Sequence, residues 1–202
     1  INYLDHIKET GRDKPEFPTL FMKSQQSMIG HGQDLVRPKV SDQFDFEGEF
    51  AVVIGKPGRY IAKENWKDYI AGYTIIMDGS IRDFQKRSVD QGKNFYHSSS
   101  SGPWLITMDE VPGDFRDMKL TTRLNGKVMQ ASDLGKLCFD VSDLISYYSQ
   151  IFYFQPGDMI ATGTPGGVGS RRDPPVWMKP GDELEVEITG IGILKNAVVG
   201  EN

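Results

Sequence analysis

The chain has 202 residues, a formal net charge of −5 from 23 basic and 28 acidic side chains, and a hydrophobic content of 38%. This is enough for one domain with a real core, while the acidic balance argues against a nucleic-acid partner and the short apolar runs against a membrane span. The single cysteine, Cys138, cannot form an internal disulfide, and with no signal peptide visible at the start it predicts a cytoplasmic protein.

Turn-forming residues divide the chain into short apolar segments. With 22 glycines and 11 prolines, the composition favours strands over long helices. The predicted strands are, in chain order, Thr19–Lys23, Glu49–Ile54, Gly72–Met77, Trp104–Thr107, Lys119–Leu124, Lys127–Ser132, Asp158–Thr162, Glu183–Thr189 and Ile193–Val198. The predicted helices are Lys63–Ile70, Ser80–Arg87 and Val141–Phe152, the last with an apolar stripe typical of a core-facing helix.

Two glutamates at the start of the second predicted strand are the most informative residues. Glu47 and Glu49 are two residues apart, so on a strand their side chains point to the same face, and Asp78 ends the next predicted strand. Buried carboxylates brought together repel one another and lose hydration unless they protonate or a cation compensates them. Three oxygen donors without Cys or His suit Mg²⁺, Mn²⁺ or Ca²⁺ better than zinc. The alternative is an exposed edge strand with ordinary polar glutamates.

Residues that could hold a substrate follow Asp78. In a helix that begins near Ser80, Arg82 and Gln85 share one face, where arginine could bind a carboxylate and glutamine a carbonyl or enol oxygen. Lys93 could stabilise negative charge that develops near a bound cation. The alternatives are a surface helix with a satisfied arginine and a solvated lysine.

Near the start, His6 and Glu9 are three residues apart and would share a face of a helical turn. Such a pair could activate a water molecule, or it could be an exposed pair on a frayed terminal helix. No G-x-S-x-G motif is present, which excludes the common serine-hydrolase arrangement.

Two loops complete the set of candidate segments. The glycine-rich run Ala161–Gly169 lacks the Gly-Lys-Ser/Thr of a phosphate loop and is predicted to form a tight turn or to bond a substrate through Thr164 or backbone N–H groups. The run Ser170–Met178 is predicted to be a surface loop, although Arg171, Arg172 and Trp177 could instead read the distal end of a substrate.

The order of these motifs resembles the fumarylacetoacetate hydrolase family, specifically its single-domain members related to acylpyruvate hydrolases and hydroxyhepta-dienedioate isomerases. The matching stretches are Asn2-Tyr3-x-x-His6-x-x-Glu9, Phe46-Glu47-Gly48-Glu49, Asp78-x-x-x-Arg82-Asp83-x-x-Gln85, Gly92-Lys93-Asn94-Phe95, Thr162-Gly163-Thr164-Pro165-x-Gly167-Val168-Gly169 and Lys179-Pro180-Gly181-Asp182 before Ile191-Gly192. They span essentially the whole chain. One departure is Ile81, where the family commonly has alanine, and the larger side chain is expected to reshape the pocket.

The resemblance implies a β-rich α+β fold, a roll or sandwich with a few short helices, that forms a single catalytic domain over residues 1–202. It also implies a homodimer and a mobile lid formed by residues 1–15. The roles it implies are metal ligands for Glu47, Glu49 and Asp78, a water-activating pair for His6 and Glu9, electrostatic support of catalysis for Lys93, and substrate contacts for Arg82, Gln85 and Thr164. The implied ion is Mg²⁺ or Mn²⁺, with Ca²⁺ as an alternative.

The implied reaction is metal-dependent hydrolysis of a C–C bond in a 2,4-diketo acid such as an acylpyruvate, fumarylpyruvate or fumarylacetoacetate. The products would be an oxo acid and a carboxylic acid, and metal coordination would neutralise the enolate that leaves. The same site could instead isomerise a 2-hydroxy-dienedioate or decarboxylate oxaloacetate in aromatic catabolism. A metal-stabilised binding protein without turnover is a third possibility, but it would give His6, Glu9 and Lys93 no reason to accompany the metal ligands.

Overall fold

The computed structural model describes residues 1–11, 13–111 and 113–202. The strands in this part of the chain are β1 (Met28–Gly30), β2 (Leu35–Arg37), β3 (Phe44–Asp45), β4 (Gly48–Ile54), β5 (Ile70–Met77), β6 (Ser80–Ile81), β7 (Ser99–Thr107), β8 (Lys119–Leu124), β9 (Lys127–Asp133), β10 (Met159–Ala161), β11 (Glu183–Ile188) and β12 (Gly192–Gly200). The α-helices are α1 (Leu4–Thr10), α2 (Arg82–Gln85), α3 (Val89–Lys93) and α4 (Val141–Ile151). Among the described helices, none has both the length and the apolar character needed to cross a membrane.

Two mixed five-stranded sheets form the body of the protein. The strand order is β1-β7-β5-β4-β10 in the first sheet and β2-β12-β11-β8-β9 in the second, and β3 pairs with β6 in a separate two-stranded ladder. The sheets pack face to face, with β12 against β7, β11 against β5 and β8 against β4. Fully buried apolar side chains such as Phe50, Leu120 and Val186 fill the core. The predicted β-rich α+β fold with few short helices is therefore confirmed.

Local sequence signals explain the best-predicted elements. Asn125 and Gly126 join β8 to β9 with φ angles of 51° and 76°, which is the left-handed backbone that an Asn-Gly hairpin turn requires. Asp140 caps α4 by accepting hydrogen bonds from the backbone N–H groups of Ser142 and Asp143, and Asp143 completes the capping box. The predicted hairpin and the predicted long helix are both confirmed, with the helix ending at Ile151.

Three predicted elements differ from the structure. Thr19–Lys23 is not a strand but a stretch of chain without a ladder partner, whose Thr19 carbonyl accepts a hydrogen bond from the Tyr148 hydroxyl. The helix predicted at Ser80–Arg87 begins only at Arg82, because Ser80 and Ile81 pair with β3. The helix predicted at Lys63–Ile70 is a 3₁₀ helix that ends at Tyr69.

The strands β1 and β2 were not predicted. Each has only three residues and pairs in parallel, β1 with β7 and β2 with β12, so its partner lies far along the sequence. Such short strands carry little periodicity of their own, and they form because distant strands offer an unpaired edge.

Candidate active site

The three predicted acidic residues converge at the end of the β4–β5 pair. Gly48 pairs with Met77, which places Glu47 beside Asp78, and the Asp78 backbone N–H donates to the Glu47 carbonyl at 2.8 Å. All three side chains are buried, and one carboxylate oxygen from each lies within 4.8 Å of the other two. This spacing lets the three carboxylates bind a single cation, and the all-oxygen donor set fits a hard divalent ion.

Gly48 separates the two glutamates because nothing larger fits there. A Cβ atom at this position would lie 2.2 Å from the Thr122 hydroxyl oxygen and 2.9 Å from a methyl carbon of Val186 in the opposite sheet. The close approach of the two sheets at Gly48 therefore fixes the backbone from which Glu47 and Glu49 both point toward Asp78.

The buried Lys93 and the partly buried Lys23 and Arg82 contact this acidic centre. The Lys93 ammonium donates to Glu47 and to Asp78, at 2.6 Å in both cases, and Lys23 donates to Asp78 at 2.9 Å. Arg82 donates to the other oxygen of Glu47 at 2.6 Å. Glu49 differs from its neighbours because, among the described residues, its hydrogen-bond donor is the backbone N–H of Gly163, at 2.8 Å, and not a cation.

The pKa values of Glu47 and Glu49 therefore shift in opposite directions. Burial alone would raise the pKa of Glu47, but Lys93 and Arg82 hold it well below its usual range. Burial raises the pKa of Glu49 to about 8, and the neighbouring charges of Asp78 and Glu47 add to the shift. A proton therefore occupies Glu49 near neutral pH in the ion-free protein, and a divalent cation would take its place.

The raised pKa of Glu49 predicts an unusual pH dependence of stability. The unfolded chain loses this proton near pH 4.5 and the folded protein near pH 8, so the free energy of unfolding contributed by this group falls between these values. We expect the melting temperature of chelator-treated protein to drop by about 5 °C or more from pH 5 to pH 8, measured by calorimetry. Saturating Mn²⁺ should remove the drop, and E49Q should lack it; a flat profile for the chelated wild-type protein would contradict the prediction.

Arg82 and Gln85 lie on one face of α2, as predicted. The Arg82 guanidinium donates to Gln85 Oε1 at 2.8 Å, to Glu47, and through Nε to Asp45 Oδ2 at 2.7 Å. Ile81, in contrast, is fully buried in the core and does not line the cavity beside Arg82. The expectation that Ile81 reshapes the pocket is therefore wrong, because pairing of β6 with β3 turns this side chain into the core.

Asp45 was not predicted and connects Arg82 to the glycine-rich loop. Its carboxylate is inaccessible to solvent and accepts from Arg82, from its neighbour Phe46, and from the backbone N–H groups of Gly169 and Ser170 at 2.7 and 2.9 Å. One buried carboxylate thus satisfies four donors that come from three separate segments.

His6 lines the cavity from α1, and Glu9 lies beside it on the same helix. His6 Nδ1 and Glu9 Oε2 are 2.8 Å apart, and Glu9 Oε1 accepts from the Gly167 backbone N–H at 2.8 Å. With Glu9 ionised, Nδ1 carries the hydrogen and donates it to the carboxylate, which leaves Nε2 of His6 as the proton acceptor. The predicted proximity of this pair is confirmed.

The first residues fasten α1 to the body of the protein. The Asn2 side chain donates to the carbonyls of Phe139 and Thr162 and accepts from the Phe139 N–H. Tyr3 is buried and forms an isolated β-bridge with Leu137. The predicted lid, residues 1–15, is held by these contacts at its beginning; Arg12 within it lies outside the described residues.

Thr164 lies at the cavity with its hydroxyl already engaged. The hydroxyl donates to the Gly48 carbonyl at 2.9 Å and accepts from the Gln130 amide at 2.8 Å. Gln130 also accepts from the Gly48 N–H and donates to the Pro165 carbonyl. The Thr164 hydroxyl therefore positions the backbone at Gly48, between Glu47 and Glu49. A contact of Thr164 with substrate stays a prediction.

A cavity of about 1520 Å³ contains these groups. The acidic centre, His6, Arg82, Gln85, Lys93 and Thr164 all line it. Its apolar lining residues include Tyr148, Phe152 and Met159, from α4 and the chain after it, and its cationic lining residues include Arg82, Lys86 and Arg171. The cavity is large enough for a small organic acid together with a metal ion.

Lys23, Asp45 and Gln130 are the site residues that sequence reasoning missed. Lys23 bonds to a residue 55 positions away, and Asp45 and Gln130 bond to residues more than 80 positions away. A local signal in the sequence exists only for Asp45, which lies two residues before Glu47 and between two apolar residues.

Comparison with known proteins agrees with this geometry. The family model for the fumarylacetoacetate (FAA) hydrolase C-terminal domain matches residues 1–199. The mitochondrial oxaloacetate tautomerase Fahd2a of Rattus norvegicus is 40% identical over 202 residues, an alignment that covers 98% of this chain and 64% of the relative. The chain therefore spans less than two thirds of the length of that curated relative.

Two solved structures share the fold closely. The 5-carboxymethyl-2-hydroxymuconate delta-isomerase of Mycobacterium smegmatis is 34% identical with a TM-score of 0.87, over 100% of this chain and 77% of the other. The maleylpyruvate hydrolase of Sphingobium sp. SYK-6, solved with manganese(II) and pyruvate, is 28% identical with a TM-score of 0.84, over 100% of this chain and 69% of the other.

Proposed function

We propose, because the chain belongs to the fumarylacetoacetate hydrolase family, that it is a divalent-metal-dependent hydrolase of a 2,4-diketo acid. The substrate would be of the acylpyruvate, fumarylpyruvate or fumarylacetoacetate type, cleaved to an oxo acid and a carboxylic acid. The observation that carries this proposal is that His6, paired with Glu9, lines the same cavity as three convergent carboxylates.

Glu47, Glu49 and Asp78 would hold the ion, Mg²⁺ or Mn²⁺ with Ca²⁺ as an alternative. When bound, such an ion neutralises negative charge that develops on the substrate oxygens. The relative solved with manganese(II) and pyruvate supports a divalent ion and a 2-oxo acid at this centre. Other relatives carry different names: a delta-isomerase shares the fold, and an oxaloacetate tautomerase is 40% identical in sequence.

Side chains of this protein would activate the water, orient the substrate and stabilise the developing charge. Nε2 of His6 takes a proton from water while Glu9 stabilises the imidazolium through Nδ1–H, and the water oxygen attacks the carbonyl carbon farther from the carboxylate. The bond between that carbonyl carbon and the carbon that lies between the two keto groups then breaks. Its electron pair forms the enolate of the oxo acid, and protonation of the carbon between the two former keto groups completes the products. Arg82 and Gln85 orient the substrate carboxylate and carbonyl, and the Lys93 ammonium stabilises the enolate charge.

The first test is product analysis with purified protein. We expect Mn²⁺-dependent release of pyruvate and the matching free acid from acetylpyruvate or fumarylpyruvate, and no release with a chelator. H6Q should lower kcat by about 10²–10⁴-fold with an unchanged Mn²⁺ affinity, because only water activation is lost. H31Q is the matched control, since His31 is exposed and lies outside the cavity lining. Full activity of H6Q would contradict the proposed role of the pair.

A second candidate reaction is the keto–enol tautomerisation of oxaloacetate. The curated relative that is 40% identical carries this name, which favours the reaction here as well. Tautomerisation moves a proton without water attack, so it would appear as decay of the oxaloacetate enol absorbance without pyruvate. Pyruvate from oxaloacetate alone would indicate the decarboxylase alternative, and conversion of a 2-hydroxy-dienedioate without cleavage would indicate an isomerase. The predicted homodimer, single-domain organisation and cytoplasmic location form part of this proposal and are open to test.

A further inference from the structure

Two adjacent arginines after the glycine-rich loop have different surroundings. Arg172 is half-buried and donates to the backbone carbonyls of Gly167 and Met129, which fixes the loop. Arg171 is exposed and lines the cavity. Within residues 1–11, 13–111 and 113–202, no carboxylate lies within ion-pair distance of the Arg171 guanidinium.

The backbone beneath Arg171 is fixed relative to the acidic centre. Asp45 accepts from the N–H groups of Gly169 and Ser170, and the same carboxylate accepts from Arg82, which in turn donates to Glu47. A short chain of buried hydrogen bonds therefore connects the turn that carries Arg171 to a predicted metal ligand. A cation on such a preorganised turn loses less conformational entropy when it binds an anion.

Lys86 is a second cation that lines the same cavity. It lies one helical turn beyond Arg82, its backbone N–H donates to the Arg82 carbonyl, and its exposed side chain lines the cavity. Like Arg171, it forms no ion pair within the part of the chain that the structure describes. In a protein with a net charge of −5, two cations that line one cavity without an ion-pair partner among the described residues attract a small anion.

We infer that Arg171, assisted by Lys86, binds a second carboxylate at the far end of the substrate, so that the enzyme selects dicarboxylic 2-oxo acids over their monocarboxylic analogues. This inference rests on the proposed function for the end of the substrate that binds at the acidic centre. The apolar lining residues Tyr148, Phe152 and Met159 would instead favour a substrate with an uncharged acyl end.

The test compares two unreactive acids of equal chain length. Mn²⁺-loaded protein is titrated by calorimetry with 2-oxoadipate and with 2-oxohexanoate, which differ by a terminal carboxylate in place of a methyl group. Neither has the 4-keto group that hydrolysis needs, so binding is measured without turnover. A charge-assisted contact at the distal end should make Kd for 2-oxoadipate about tenfold lower. 2-Oxoglutarate and 2-oxopimelate then measure how far the contact lies from the centre.

Variants assign the selectivity to the proposed residue. R171Q should reduce the ratio of the two Kd values to below about threefold while leaving Kd for 2-oxohexanoate within about twofold. K86Q should have a smaller effect of the same kind. R59Q is the control, because Arg59 is an exposed arginine outside the cavity lining and should change neither Kd.

The outcomes separate the two proposals. Equal affinities, tighter binding of 2-oxohexanoate, or an equal loss of both affinities in R171Q would overturn the distal contact while leaving 2-oxo acid chemistry at the acidic centre intact. Failure of both acids to bind in the presence of Mn²⁺ would overturn the distal contact together with the proposed function.

Discussion

E49Q is expected to fold normally and to lose both Mn²⁺ binding and turnover. Within residues 1–11, 13–111 and 113–202, Glu49 is the acidic residue of the centre without a cationic hydrogen-bond partner, so its replacement leaves the contacts of Lys93 with Glu47 and Asp78 in place. Its pKa of about 8 means that the neutral glutamine resembles the protonated side chain of the ion-free protein near pH 7. We expect kcat/KM to fall by about 10³-fold or more, because the charge stabilisation that the ion supplies is lost.

Thermal unfolding measures the binding part of this prediction. An ion concentration of about 100 times Kd stabilises the folded wild-type protein by about 2.7 kcal/mol, which raises the melting temperature by several degrees. E49Q should show no such increase and should melt no lower than chelated wild-type protein at pH 7.5. E64Q is the control, because Glu64 is exposed and outside the cavity, and it should respond to Mn²⁺ as the wild-type protein does. An E49Q protein that binds Mn²⁺ at wild-type affinity would remove Glu49 from the ligand set.

D45N is expected to raise KM strongly while leaving Mn²⁺ affinity within about threefold of wild type. Asn offers one acceptor oxygen where the carboxylate offers two, so its NH₂ group would face the Arg82 Nε–H or the Ser170 N–H. Burying opposed donors costs about 1–3 kcal/mol, and part of that cost is relieved by movement of Arg82 and the turn. We expect kcat/KM for the preferred diketo acid to fall by about 10–100-fold, mostly through KM.

A matched buried aspartate distinguishes positioning from loss of stability. Asp182 is also buried and accepts from the Asn125 side chain and the Lys179 N–H, but it lies outside the cavity lining. D182N should lower the melting temperature comparably and leave KM unchanged. If D45N and D182N change KM equally, Asp45 acts only through the stability of the fold.

Whether a residue of the site could be predicted from the sequence depends on how far along the chain its contacts lie. Glu47, Glu49 and Asp78 could be identified because a two-residue period and apolar strands are local signals. Their convergence depends on the β4–β5 register, which the same apolar runs specify. The resemblance supplied His6 and Glu9, whose spacing alone would also fit an exposed terminal helix.

Lys23 marks the limit of that reasoning. It ends a stretch that was predicted to be a strand, and the three consecutive apolar residues before it gave no indication that its ammonium reaches Asp78. Arg171 and Arg172 are adjacent and chemically identical, so only the folded loop could show that one binds the backbone and the other faces the cavity.

Lys23 and Lys93 make the acidic centre part of what holds the fold together. Losing Asp78 alone would leave Lys23 without a carboxylate and the buried Lys93 with Glu47 only, and losing Lys93 alone would leave Glu47 with only Arg82 and Asp78 with only Lys23. Removing one partner of a buried ion pair costs up to about 3–5 kcal/mol. A lineage that no longer needed the chemistry could not discard these charges one at a time and stay folded. Inactive descendants of such a protein should therefore keep Glu47, Asp78 and Lys93 and lose His6, Glu9 or Glu49 first, so that these last three are the residues whose retention reports continued selection for catalysis.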